Sequence, residues 1–150
     1  MDYTYNDGGR LETGYQGKTR DCVTRAIAIA MQQPYQLIFE ELNEWGSRER
    51  KSKRRKSKSS ASTGIHIPTI RKYLASKGWR WVPTMLVGQG CKVHLRKEEL
   101  PSGRLIVSVS RHVVAIIDGT INDTSNPARN GARCVYGYYV KDACEGRLFS

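Results

Sequence analysis

The chain has little of what several common protein classes require. None of its 150 residues form a run approaching the ~20 apolar residues of a bilayer-spanning helix. Its N-terminus, "MDYTYNDGGR", is polar and acidic and shows none of the basic and apolar regions of a secretory signal. The expectation is a soluble, cytoplasmic protein. Its four cysteines, Cys22, Cys91, Cys134 and Cys144, are scattered and include no C-x-x-C pair. A disulfide framework is therefore not expected in that compartment. The three histidines, His66, His94 and His112, stand at no ligand spacing with any cysteine, so no metal site is expected.

Positive charge, in contrast, is plentiful, but it is concentrated. The stretch "SRERKSKRRKSK" from Ser47 to Lys58 holds Arg48, Arg50, Lys51, Lys53, Arg54, Arg55, Lys56 and Lys58 against one glutamate. Most of the formal +11 sits there, and the remaining residues are only mildly basic. We read about 47–62 as a disordered basic insertion with nothing to pack, within a single domain spanning 1–150. Such a run is usually a solvated segment, with nucleic acid or an acidic protein as its candidate partner.

With 39% hydrophobic residues the chain can bury a core. "VTRAIAIAM" from Val23 to Met31 is apolar at nearly every position, as a buried helix is. "QQPYQLIFEELNEW" opens a second helix with Pro34 at its start, and "GIHIPTIRKYLASKG" a third, with Pro68 at its start and Gly78 at its stop. Beyond Gly78 the character changes. "WRWVPTMLV", "KVHL", "RLIVSVS", "HVVAIID", "TINDT" and "CVYGYYV" are short, β-branched and aromatic, and separated by turn residues. Helices followed by strands indicate an α+β domain with an antiparallel sheet. Tryptophans Trp79 and Trp81 and tyrosines Tyr136, Tyr138 and Tyr139 suit its core or a cleft wall.

The dipeptide Asp118-Gly119 is a strong hairpin turn. With it as the turn, Ile117 pairs with Thr120, Ile116 with Ile121 and Ala115 with Asn122. His112 and Asp123 then share a face as diagonal neighbours, ~7–8 Å apart at the backbone. A slip by one residue would replace Asp123 by Asn122, which is also able to orient a histidine. A carboxylate on one imidazole nitrogen leaves the other free to meet a thiol. Cys22, at the head of the first helix, is the thiol that the helix dipole would favour as thiolate. Gln16, six residues upstream, offers an amide donor for an oxyanion. Nucleophile, base, orienter and oxyanion donor together are what acyl transfer through a thioester requires. Cys91, Cys134 and Cys144 lack that context and are read as non-catalytic. His66 and His94 are read as structural.

This arrangement resembles the papain-like cysteine peptidase superfamily. The "Q-x5-C" spacing, the "DC" dipeptide and the compact size are most similar to the bacteriocin-processing (double-glycine) peptidases and related small bacterial or phage members. The resemblance implies a papain-like fold whose central helix is headed by Cys22. It further implies a thiol hydrolase of peptide, amide or isopeptide bonds, with His112 as base, Asp123 as orienter and Gln16 at the oxyanion, and no cofactor. Acyl transfer and deamidation use the same constellation. The family often has small residues or Trp directly after the cysteine, where this chain has Val23 and Thr24. The competing expectation is a non-enzymatic module on the same fold, binding nucleic acid or an acidic protein through the basic loop.

Overall fold

A computed structural model of the chain describes residues 1–14, 20–50, 57–86 and 88–141. Its elements run β1 (Asp2–Tyr5), α1 (Cys22–Met31), α2 (Tyr35–Ser47), α3 (Ile67–Ser76), β2 (Trp79–Pro83), β3 (Arg104–Val109), β4 (His112–Ile117), β5 (Thr120–Asp123) and β6 (Val135–Lys141). The α+β class is as expected. The six strands form one sheet in the order β1-β5-β4-β3-β6-β2. No helix among the described residues is long and apolar enough to cross a membrane.

The expected antiparallel sheet needs a correction. β1 joins its edge in parallel, with Tyr3 opposite Ile121 and Tyr5 opposite Asp123, so the sheet is mixed. Nothing in "DYTY" announces a strand, because all four side chains are exposed and the segment has no apolar face to alternate. "KVHL" also falls short of expectation and contributes only an isolated bridge between His94 and Cys134.

Both faces of the sheet are covered. α1 lies across β4 and packs Ile27 and Ala30 with Ala115 and Ile106, while α2 and α3 add Ile38, Leu42, Tyr73 and Leu74. Helix α1 buries Val23, Thr24 and Ala26 through Ala30, the all-round burial its sequence implies. Gln32, in the left-handed region with φ 55°, ends the helix by turning its N–H back to Ala28 and Ile29. On the opposite face Leu105, Val107, Val114, Ile116 and Ile121 pack with Leu95, Ala128 and Val135. The 84–103 and 124–134 connections supply Leu95 and Ala128 to that layer, so the strands read as apolar runs rather than strict alternation.

Cys91 and Cys134 are joined by a disulfide, with Cα atoms 5.9 Å apart. This one bond departs from the expectation of no disulfide framework. They are 43 residues apart and carry no spacing motif, and only the bridge at His94 and Cys134 brings them together.

The basic segment has its ends built into the domain. α2 continues to Ser47, and Gly46 in its last turn lies so close to Ser59 that a Cβ there would sit 2.2 Å from the Ser59 carbonyl oxygen. Glu49, the lone acid of the run, accepts from the Ser59 N–H at 2.6 Å and from the hydroxyls of Ser59 and Thr69. These bonds outweigh burial and hold its carboxyl below the ordinary range. Ala61 is buried, and its carbonyl accepts the Thr24 hydroxyl at 2.9 Å. Lys51, Lys53, Arg54, Arg55 and Lys56 lie outside the described residues. Arg48 pairs with Glu44 at 2.5 Å on the same helix, and Lys58 Nζ donates to the Ser47 carbonyl at 2.7 Å.

Candidate catalytic site

The site is assembled by the β4–β5 hairpin and the head of α1. Asp118 and Gly119 have φ of 48° and 80°, the paired positive values of a type I′ turn. The register is Ile117 with Thr120, Ile116 with Ile121 and Ala115 with Asn122, as the turn chemistry implies. His112 and Asp123 therefore meet diagonally, and His112 Nε2 lies 2.5 Å from Asp123 Oδ2. Asn122 points elsewhere. Its amide N–H donates to the Thr120 carbonyl at 3.0 Å and its oxygen accepts from Asn6 at 3.2 Å, so it is not the orienter.

At its other end His112 is set by the turn between β3 and β4. Ser110 and Arg111 form a two-residue connection closed by Val109 opposite His112, and Arg111 has φ 57°. Arg133 Nη2 donates to the Ser110 carbonyl at 2.5 Å, holding this turn from the 124–134 connection.

Cys22 is the first residue of α1 and is partly buried. It lies beside the His112 ring, near enough for the imidazole to lower the thiol, while His112 Nε2 is committed to Asp123. Burial alone would push the thiol up. The His112 hydrogen bond and charge, a bond with the Val113 backbone and the positive charge of Arg25 outweigh it, so the thiol lies below its ordinary value. The Asp123 and Cys22 hydrogen bonds raise the imidazole to about 9 against the opposing effect of burial. For Asp123 burial opposes ionisation, and the bond to His112, the Thr124 N–H and Arg25 together bring it below the ordinary carboxylate range. Relative to free side chains, the arrangement favours the charged forms of Cys22, His112 and Asp123.

Two further residues hold this line and were not picked out in the sequence as site residues. Asp21 is fully buried and accepts from Arg25 and, at 2.7 Å, from the Tyr35 hydroxyl. Arg25 extends on to Asp123 Oδ1 at 3.5 Å. The signal was present: an arginine interrupts an otherwise apolar helix four residues after an aspartate, the spacing of a helical ion pair. Asp123 is also supported from β1, since its backbone carbonyl accepts the Tyr3 hydroxyl at 3.1 Å and the Asn6 N–H at 2.9 Å.

Gln16 and Cys144 lie outside the described residues. His94 is bound to Glu99 through Nδ1 at 3.3 Å, and His66 stands before α3 with Nε2 3.1 Å from the Ser57 carbonyl. Among the described residues no group of His, Cys, Asp and Glu is arranged to hold a metal ion. A cleft of about 620 Å³ opens over Cys22 and His112, lined also by Arg20, Asp21, Arg25 and Arg111. No family model, curated protein or solved structure matches the chain.

Proposed function

We propose that the protein is a papain-like thiol hydrolase acting on peptide, amide or isopeptide bonds. The observation that carries this reading is the His112–Asp123 pair set beside Cys22 on one cleft, with the thiol shifted down and the imidazole shifted up. A core histidine needs no thiol partner, and burial of a structural cysteine raises its thiol rather than lowering it. The Cys22 thiolate attacks the substrate carbonyl carbon, and the carbonyl oxygen takes the negative charge. In this reading the oxyanion is held by N–H groups at the head of α1, with Gln16 as the second donor. Imidazolium His112 then gives its proton to the leaving nitrogen as the C–N bond breaks, leaving a thioester on Cys22. Neutral His112 next takes a proton from water as its oxygen attacks the thioester carbon, and the C–S bond breaks to release the acid and the Cys22 thiolate beside imidazolium His112.

The test is the second-order rate of Cys22 alkylation by iodoacetamide at pH 7, followed by peptide mass mapping. Cys22 is expected to react much faster than free cysteine, and His112→Ala to remove the advantage. Cleavage of a mixed peptide substrate should then require Cys22, as shown by its loss in Cys22→Ala. A Cys22 rate no greater than that of free cysteine would overturn the reading.

A further inference from the structure

The cleft over Cys22 does not end at His112. A second cavity of about 560 Å³ adjoins it, sharing Arg111 and His112 and reaching Arg129 and Arg133. Among the described residues the two together are lined by Arg20, Arg25, Arg111, Arg129 and Arg133 and by one carboxylate, Asp21. Asp21 is buried, and its oxygens are already taken by Arg25 and Tyr35. Arg25 is likewise occupied, between Asp21 and Asp123.

The other four arginines are in a different situation. Arg20, Arg111 and Arg129 are exposed, and among the described residues no carboxylate pairs with any of them. Arg133 is half-buried and spends its two terminal nitrogens on the carbonyls of Ser110 and Pro127, while its Nε has no partner among the described residues. Like charges gathered in a concave site without a counter-charge repel one another, and the arriving ligand relieves that repulsion if it is an anion. The two cavities flank His112, so the unmatched charge lies on both sides of the atoms that would react.

We propose that the site selects acidic peptides, with Asp or Glu side chains close to the scissile bond, and that Arg20, Arg111 and Arg129 receive their carboxylates. This rests on Cys22 being the nucleophile and adds the substrate class. The guanidinium fork matches a carboxylate in a bidentate geometry. A nucleic acid would also meet the charge, but its sugar–phosphate chain presents no acyl carbon for the thiolate to attack. Arg133 is a positioning residue, since it holds the turn carrying Arg111 and His112.

Iodoacetate and iodoacetamide deliver the same alkylation with and without a negative charge, and the ratio of their rates at Cys22 reads the field of the arginines. In Arg111→Glu/Arg129→Glu that ratio is expected to fall about tenfold at low salt. In the unsubstituted protein 0.5 M NaCl should compress the same ratio, a comparison that needs no variant. A glutamate-rich peptide should slow Cys22 alkylation at concentrations where its glutamine analogue does not. Rapid iodoacetamide labelling of Cys22 with a ratio unchanged by salt and by the double substitution would overturn the acidic-peptide assignment and leave the nucleophile standing. Protection by an oligonucleotide but not by the acidic peptide would overturn it too. Slow labelling by both reagents would instead remove the nucleophile, and this assignment with it.

Discussion

Arg25 and Asp123 come within 3.5 Å of each other, one on the first turn of α1 and the other at the end of β5. The same guanidinium holds Asp21, the residue before Cys22, so one side chain ties the helix carrying the thiol to the strand carrying the carboxylate. Removing it leaves a buried anion at Asp21 without its main partner. Arg25→Ala is expected to destabilise the fold by about 3–5 kcal/mol in urea unfolding. Adding Asp21→Asn should recover part of that loss, because the orphaned charge is then gone. If the double variant is the sum of the singles, the two residues are not coupled.

The shifts at Cys22 and His112 give a pH profile with a defined sign. Burial raises the thiol and His112 pulls it down, so alkylation by iodoacetamide should reach its plateau at a lower pH than for free cysteine. In His112→Ala burial acts unopposed by the imidazole, and the rise should move to higher pH. Hydrolysis additionally needs the imidazolium to protonate the leaving nitrogen, so kcat/KM should decline again as pH passes about 9. The two limbs belong to the coupled pair.

Asp123 and its neighbour Asn122 allow a contrast between the two faces of one strand. Asp123→Asn keeps the shape and removes the charge beside the imidazolium, and kcat/KM should fall by about 10²–10⁴-fold. Asn122→Ala loses bonds to Asn6 and Thr120 and should change kcat/KM by about twofold or less, with any cost appearing in stability. Equal losses of activity in the two variants would contradict the hairpin register.

Gly46 tests the packing at the base of the basic loop. In an isolated helix Gly→Ala would stabilise by about 1 kcal/mol. Here the new methyl would lie 2.2 Å from the Ser59 carbonyl oxygen, which is backbone and held by the Ser59–Glu49 bonds. Gly46→Ala should therefore destabilise, by about 1–3 kcal/mol, in thermal or urea unfolding. A stabilised variant would show that the Ser59 segment moves aside at little cost.

What could be read in advance followed from short-range chemistry. Asp118-Gly119 imposes its own turn, and the turn with the strand period places His112 beside Asp123 without any knowledge of the fold. The apolar helix from Val23 and the proline starts of the next two helices were similarly local. Long-range pairing of polar segments was not legible. β1 gains its place only from the free edge of β5, and its exposed side chains leave no pattern. Glu49 looked like a stray acid in a basic run, yet its partners Ser59 and Thr69 are brought to it by the closure of the loop. Gln16 stays a matter of spacing alone.

The disulfide and the thiol place opposite demands on the surroundings of one chain. Cys22 must stay reduced to act as a nucleophile, whereas the Cys91–Cys134 bond is the oxidised form of its two thiols. Thiol hydrolases are commonly assayed with added dithiothreitol, and a dose that reduces Cys91–Cys134 removes the link between the 84–103 and 124–134 connections. Where the bond is reduced, an assay with reductant and one without it examine two covalently different proteins.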